Sequence, residues 1–403
     1  MAQSHKLLGA TNRLLGATNR LLGPTNRLGA FPADAREQGA TLELVAQSHK
    51  VGGADVAIVG SGLAALTAKA ALADADIDAV VFGDSRDPAA VWRRRAESIR
   101  QTHMRSESDG HCRPRTFPGL AVRDALRLRD AWPLVRSITD SYRPSVEVFL
   151  ANVDDVRRGC GWDEAFVEAR VARVRAVDGG FALDGRFFRH VLVAPGHPGL
   201  RLPPELAGDE RVVHAYEPHD YASRVAVVGA GMAAATEWRN ASTAGADVIS
   251  VRRREPLRRP LNLPRHLFTK RGLAAYHRLD VDSRAAFLRS LSTPSYPPGR
   301  EWDVPVRTER RVPDDTEQVI CATGFERGFD RDPLLSVLAD EHGLACANGW
   351  LVLDDDGTVP ALTDGSRTLA LSGVHAQWAF PAADTLAGMR YVAHRFVRRC
   401  RTR

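Results

Sequence analysis

A short apolar run, a glycine-rich break and an alanine-rich run of helical length follow one another twice along this chain. In the first copy Val56-Ala57-Ile58-Val59 predicts a buried strand, and Leu63 to Leu72 predicts a helix packed on a sheet. Ile77 to Phe82 follows as a second, parallel strand. In the second copy the strand runs from Val225 to Val228 and the helix from about Ala233 to Thr243. Gly245 stops that helix before a strand at Val248 to Val251. Between the copies the period changes: residues alternate from Ala165 to Val174, Gly179-Gly180 marks a turn, and Val191-Leu192-Val193-Ala194 is a strand ended by Pro195-Gly196. Proline-rich patches at Pro256 to Pro264 and Pro294 to Pro298 predict loops. Strands at Val319 to Ala322 and at Leu369 to Ser372, then a helix from about Ala382 to Arg398, close the chain.

The first fifty residues break this pattern. Leu7-Leu8-Gly9-Ala10-Thr11-Asn12-Arg13 recurs at Leu14 to Arg20 and, with Pro24 in place of alanine, at Leu21 to Arg27; Ala2 to Lys6 reappears as Ala46 to Lys50. A heptad period suits a coiled coil, but each repeat carries a glycine and a Thr-Asn pair, which are poor helix formers. No acid precedes Asp34, as in a transit peptide, yet the apolar core of a secretory signal is missing. Residues 1–50 are expected to form a low-complexity, disordered extension or to lie outside the mature protein.

Each glycine break has the strand, turn and helix context that a dinucleotide fingerprint requires. In Gly60-Ser61-Gly62-Leu63-Ala64-Ala65, Gly60 permits the tight turn, Gly62 lets a pyrophosphate approach the backbone, and Ala65 allows close contact of helix and strand. The N–H groups opening the helix at Leu63 suit that anion. An acid that holds a ribose hydroxyl is expected at Gly83, after the second strand; it comes one residue later, as Asp84. The second fingerprint, Gly229-Ala230-Gly231-Met232-Ala233-Ala234, ends differently, because Val251 is followed by Arg252, Arg253 and Arg254. Arginine there accommodates a 2′-phosphate and selects NADPH over NADH; an exposed basic loop is the alternative.

At 403 residues the chain is long enough for two or three domains. The net charge of +6 is spread too widely to point to nucleic acid, and nearly all the basic residues are arginine, as in a GC-rich bacterial coding sequence. No uncharged apolar run reaches the ~18 residues of a membrane span. The five cysteines are far apart and include no Cys-x-x-Cys, which counts against a disulfide framework, a zinc site and dithiol redox chemistry, and suits a cytoplasmic location. No metal site is expected.

With these residues in hand, the chain resembles the two-dinucleotide-binding-domain flavoproteins, and within them the class B monooxygenases: flavin-containing, Baeyer–Villiger and N-hydroxylating enzymes. The resemblance rests on both fingerprints, on Ala322-Thr323-Gly324-Phe325, on Trp92-Arg93, and on the closing Ser372-Gly373 and Leu386-Ala387-Gly388-Met389 segments. It implies FAD on the first fingerprint, NADPH on the second, and hydride delivery across the cleft between them. Oxygen would then give a flavin C4a-hydroperoxide that oxygenates a small-molecule substrate. Further positions that the resemblance brings to the cofactors are Met104 and Arg105 in His103-Met104-Arg105-Ser106, with Thr323, Gly324 and Gly373. His214 stands where the family's linker histidine falls, although Gly208 and Glu210 occupy its Phe and Gly positions. Asn262 is a second polar candidate, facing the nicotinamide, and His375, Gln377 and Trp378 are candidates for a substrate pocket.

The fold expected is α/β: two Rossmann-like dinucleotide-binding domains of the three-layer ββα type, with the disordered N-terminal extension. The expected divisions are 1–50 for the extension, 51–205 and 313–403 for the FAD-binding domain, and 206–312 for an inserted, shortened NADPH-binding domain. Partners would be the substrate and molecular oxygen, with a homodimer left open and neither nucleic acid nor membrane involved. Two alternatives stay open: an NADPH reductase or oxidase without oxygen insertion, and a degenerate nucleotide-binding protein without catalysis.

Overall fold

The computed structural model describes residues 54–105, 145–258, 267, 270–291, 293–297 and 299–401. The repeats of residues 1–50, together with Ser106 and Asn262, lie outside the described residues.

The chain opens with β1 (Val56–Val59), α1 (Leu63–Ala73), β2 (Ala79–Gly83) and α2 (Ala90–Ser98). Then come α3 (Val146–Gly159), the short α4 (Trp162–Ala165) and β3 (Phe166–Glu168). A meander of β4 (Arg175–Val177), β5 (Gly180–Leu183) and β6 (Arg186–Phe188) leads into β7 (His190–Val193). Strand β8 (Val212–His214) precedes the second copy of the opening pattern, β9 (Arg224–Val228), α5 (Met232–Thr243) and β10 (Asp247–Val251). Beyond it lie β11 (Leu257–Arg258), α6 (Lys270–His277), α7 (Val281–Leu291), β12 (Ser295–Tyr296), β13 (Arg307–Glu309) and β14 (Gln318–Cys321). The chain ends with α8 (Pro333–His342), the hairpin β15 (Cys346–Ala347) and β16 (Trp350–Leu351), β17 (Thr368–Leu371) and α9 (Leu386–Arg401).

The first sheet is wholly parallel, in the order β17-β7-β1-β2-β3, and the antiparallel meander β4-β5-β6 is a separate sheet. Phe181, Leu183 and Phe188 of the meander join the same core, with the Phe82 and Phe188 rings 5.7 Å apart edge to face. Alanine-rich α1 is buried almost throughout and carries no apolar stripe, because apolar surface meets it on more than one side. On one side lies α9, whose Val392, Ala393, Phe396 and Val397 are buried in that core. Even Lys69 of α1 is buried, its ammonium donating to the Cys160 carbonyl at the end of α3 at 2.8 Å. A cation at a helix C-terminus is favoured by the exposed carbonyls there.

The second sheet has the order β13-β10-β9-β14-β8, again parallel. Val225 and Val227 face Trp238 and the alanines of α5, while Ala226 and Ile249 face the other side, as the period of a strand requires. Two differences from the sequence reading follow. A domain boundary at 313 would give Gln318–Cys321 to the first sheet, but its pairing with β8 and β9 places it in the second. Helices α6 and α7, which the proline-rich patches concealed, bury Leu273, Tyr276, Ala285 and Leu288 in the core of the first sheet.

Candidate nucleotide-binding site

Both glycine turns are built alike. Gly60 leaves β1 with φ +117°, and a Cβ there would lie 2.2 Å from the Ala194 carbonyl oxygen just beyond β7. Gly229 leaves β9 with φ +141°, and a Cβ there would lie 2.5 Å from the Ala322 carbonyl oxygen just beyond β14. The middle glycines differ in kind: Gly62 and Gly231 are extended N-caps of α1 and α5, without side-chain caps, and a Cβ on either would meet nothing within 4 Å. Each helix thus opens with uncapped N–H donors, no acid in its first turn, and a clear approach along the glycine, a cradle that fits a pyrophosphate. Leu63 and Met232 begin the helices, and Ala64, Ala65 and Ala233 are buried behind them.

The displaced acid has a physical reason. A Cβ on Gly83 would fall 2.3 Å from the Ser61 Cβ, so the glycine turn occupies the space a side chain there would need. Asp84 follows β2 directly, and the Ser61 hydroxyl donates to its carboxylate at 3.1 Å. Gly373, at φ +67° after β17, brings that segment against Ala64 at the start of α1. Trp92 of α2 leans on Phe149, with ring centroids 4.5 Å apart, Arg93 reaches Asp87 at 3.4 Å, and Met104 is buried in the first core.

After β10 the three arginines separate. Arg252 is folded inward, its guanidinium 5.4 Å from the Trp238 ring and 3.0 Å from Glu255. Arg253 is exposed at the strand end, 2.7 Å from Glu205, and Arg254 is exposed beside it.

The exits of β7 and β14 meet. His197 stacks on Phe325 at 4.3 Å, Phe325 on Tyr216 at 5.1 Å, and Tyr216 on His214 at 5.6 Å. Arg201 donates to the Thr323 carbonyl at 2.7 and 3.1 Å, and the Thr323 hydroxyl donates back to the Arg201 carbonyl. Burial, then the Arg327 and Arg95 charges, push His197 down to about 3, so it is neutral. His214 is also lowered, chiefly by burial. Its Nδ1 accepts from the Tyr216 N–H at 3.1 Å, which leaves Nε2 to donate to the Gly324 carbonyl at 3.0 Å. Both ring nitrogens are thereby engaged by the backbone, which suits a linker lock better than proton transfer.

Other candidates divide. His375 donates through Nε2 to the Gly196 carbonyl at 3.0 Å beside His197. Trp378 is core: it is buried, the Arg284 guanidinium lies over its ring, and its carbonyl and that of Gln377 accept from Tyr276 of α6. A hollow of about 1330 Å³ lies at the opposite end of the strands of the first sheet, beside Asp55 and Asp78 where β1 and β2 begin and beside Lys69, away from the glycine turns.

Sequence reasoning missed a buried polar group beneath the second fingerprint. Glu237 of α5 is fully buried, and its carboxylate accepts from the Tyr221 hydroxyl at 2.8 Å and faces His219 Nε2 at 3.2 Å. His219 Nδ1 faces the Glu217 carbonyl at 2.7 Å, so both ring nitrogens meet acceptors. Burial acts to lower His219, but these acceptors outweigh it and the net direction is up. The signal was a glutamate three and four residues from Ala234 and Ala233, on the buried face of a helix.

The two parallel sheets, each entered by the same glycine turn, meet at their exits. No protein-family model matches the sequence, and no curated protein matches it. Among solved structures, the fold is similar to an ornithine N-hydroxylase from Kutzneria sp. 744, in a complex with reduced FAD, NADP+ and L-ornithine. That similarity has a TM-score of 0.63 at 16% identity, over 86% of this chain and 98% of that one. A flavin monooxygenase from Stenotrophomonas maltophilia is similar with a TM-score of 0.54 at 20% identity, over 85% and 97%. A bacillithiol disulfide reductase from Staphylococcus aureus gives 0.52 at 13%, over 86% and 97%. At these identities the likeness is one of fold.

Proposed function

We propose that the chain is an FAD-dependent, NADPH-oxidising oxidoreductase that oxygenates a small molecule. The observation that carries this reading is the twin construction of the glycine turns, in which one glycine is jammed against a strand-end carbonyl and the next is left open to a ligand. Gly60, Gly62, the N–H groups from Leu63 to Ala65, and Asp84 would hold FAD, with Trp92, Met104 and Gly373 nearby. Gly229, Gly231, the N–H groups at Met232 and Ala233, and the exposed Arg253 and Arg254 after β10 would hold NADPH, with Arg252 packed inward on Trp238. Bound flavin supplies hydride acceptance and oxygen activation. The chain's own part is to align the two nucleotides, keep water out, and hold neutral histidines at the seam.

Oxygenation is preferred to disulfide reduction because of the cysteines. Burial raises Cys160 and Cys321 to about 11 and Cys400 to about 12, far from the thiolate that exchange requires, and the exposed Cys346 has no cysteine partner among the described residues. The described cysteines are all unpaired. Measuring oxygen consumed against hydrogen peroxide released, with candidate substrates present, tests the oxygenation step. Peroxide equal to oxygen with every substrate would leave only the oxidase reading.

A further inference from the structure

After the second strand of the first fingerprint comes an acid, Asp84; after β10, the matching strand of the second, come Arg252, Arg253 and Arg254 instead. The fold brings an acid to that place from another element. Glu205 stands in a short 3-10 turn, Pro204–Leu206, on the linker between β7 and β8, and accepts from Arg253 Nη2 at 2.7 Å. That linker is fixed just upstream, where the Arg201 side chain donates to the Thr323 carbonyl and its N–H to the Gly324 carbonyl, beyond β14. Pro203 and Pro204 then restrict the backbone up to Glu205. Two other acids at this end of the second sheet face other arginines. Glu255 is 3.0 Å from Arg252, and Glu309, in register with Val251, is 3.6 Å from Arg307. Glu205 is thus the acid that meets Arg253, an exposed arginine in the position of the 2′-phosphate.

A 2′-phosphate that reaches Arg253 must displace this carboxylate or sit beside it. Displacement breaks an exposed ion pair, worth up to about fivefold in binding. Sitting beside it sets two negative groups together on one guanidinium. NADH carries a hydroxyl there instead, and a carboxylate accepts from a ribose hydroxyl, as the acid of a dinucleotide site does. An arginine and a glutamate at one position therefore pull the choice of coenzyme in opposite directions.

We propose that Glu205 is a specificity-determining residue, whose carboxylate holds Arg253 in the free protein and weakens the preference for NADPH over NADH. This rests on the reading of Arg253 as a partner of the 2′-phosphate. The test is calorimetric titration with NADP+ and with NAD+ of the unmodified protein, Glu205→Gln, Arg253→Ala and the double variant. Glu205 is exposed, so its replacement leaves the fold intact. Glu205→Gln is expected to tighten NADP+ about fivefold and not to tighten NAD+. With Arg253→Ala already in place, the same change should tighten NADP+ less than about twofold, because the carboxylate then has no guanidinium to withhold. Glu205→Gln within about twofold of the unmodified protein for NADP+, while Arg253→Ala weakens NADP+ about tenfold, would overturn the proposal and leave the 2′-phosphate reading intact. Equal tightening of NADP+ and NAD+ would also overturn it, as an effect of net charge alone. Arg253→Ala that binds NADP+ like the unmodified protein would remove the reading beneath, and the proposal with it.

Discussion

Gly60 and Gly62 are two residues apart and constrained by opposite things. At Gly60 the protein itself forbids a side chain, through a left-handed backbone and the Ala194 carbonyl. At Gly62 the backbone is extended, and only an incoming ligand would be met. Gly60→Ala is therefore expected to lower stability by about 3 kcal/mol or more, seen as a lower midpoint in urea. Gly62→Ala should unfold at nearly the unmodified midpoint yet lose FAD on gel filtration. A stable Gly60→Ala, or a Gly62→Ala that keeps its flavin, would contradict this division. The glycine spacing was legible in the sequence because the geometry is local. Gly83 was not, since the reason for it lies across the sheet in Ser61.

At the scale of elements, strands and helices inside each repeated pattern were read within a residue or two, because period and glycine punctuation are both short-range signals. What escaped were α6, α7, the sheet membership of β14, and the Glu237 group, each decided by a partner distant in sequence. The end of β10 shows the same limit. Three consecutive arginines look equivalent in sequence, but Trp238 draws Arg252 inward and leaves Arg253 and Arg254 outside. Arg253→Ala is expected to raise the KM for NADPH about tenfold with little change for NADH, the size of one lost charge-assisted hydrogen bond. Arg252→Ala should instead lower thermal stability modestly, through lost packing on Trp238, and affect both coenzymes alike. Steady-state kinetics with the two coenzymes, beside thermal melts, separates the roles; equal effects of Arg253→Ala on both would remove the 2′-phosphate assignment.

For the whole molecule, the arrangement in which the exits of β7 and β14 face each other has a titration consequence. Burial lowers His197, His214 and His375, so each takes up a proton less readily in the fold than in the unfolded chain, where the ordinary value is about 6.5. Stability they favour is complete above that pH and falls as the pH drops towards their folded values, by up to about 1.4 kcal/mol per pH unit for each histidine. His219, raised, acts with the opposite sign: its contribution is complete below about 6.5 and is lost as pH rises through its folded value. His190 and His394 are lowered too, chiefly by burial, so five lowered histidines stand against one raised and the melting temperature should fall steadily from pH 6.5 to 5. His197→Phe should flatten that slope, and an unchanged slope would show that His197 is protonated in the fold.

Whether two nucleotides are held at one seam is tested most directly by the visible spectrum of the purified protein under argon. It should show a flavin band, retained or restored by added FAD, that bleaches with one equivalent of NADPH and returns on admitting air. Protein that stays colourless after incubation with FAD, or a flavin band that NADPH leaves untouched, would contradict the account.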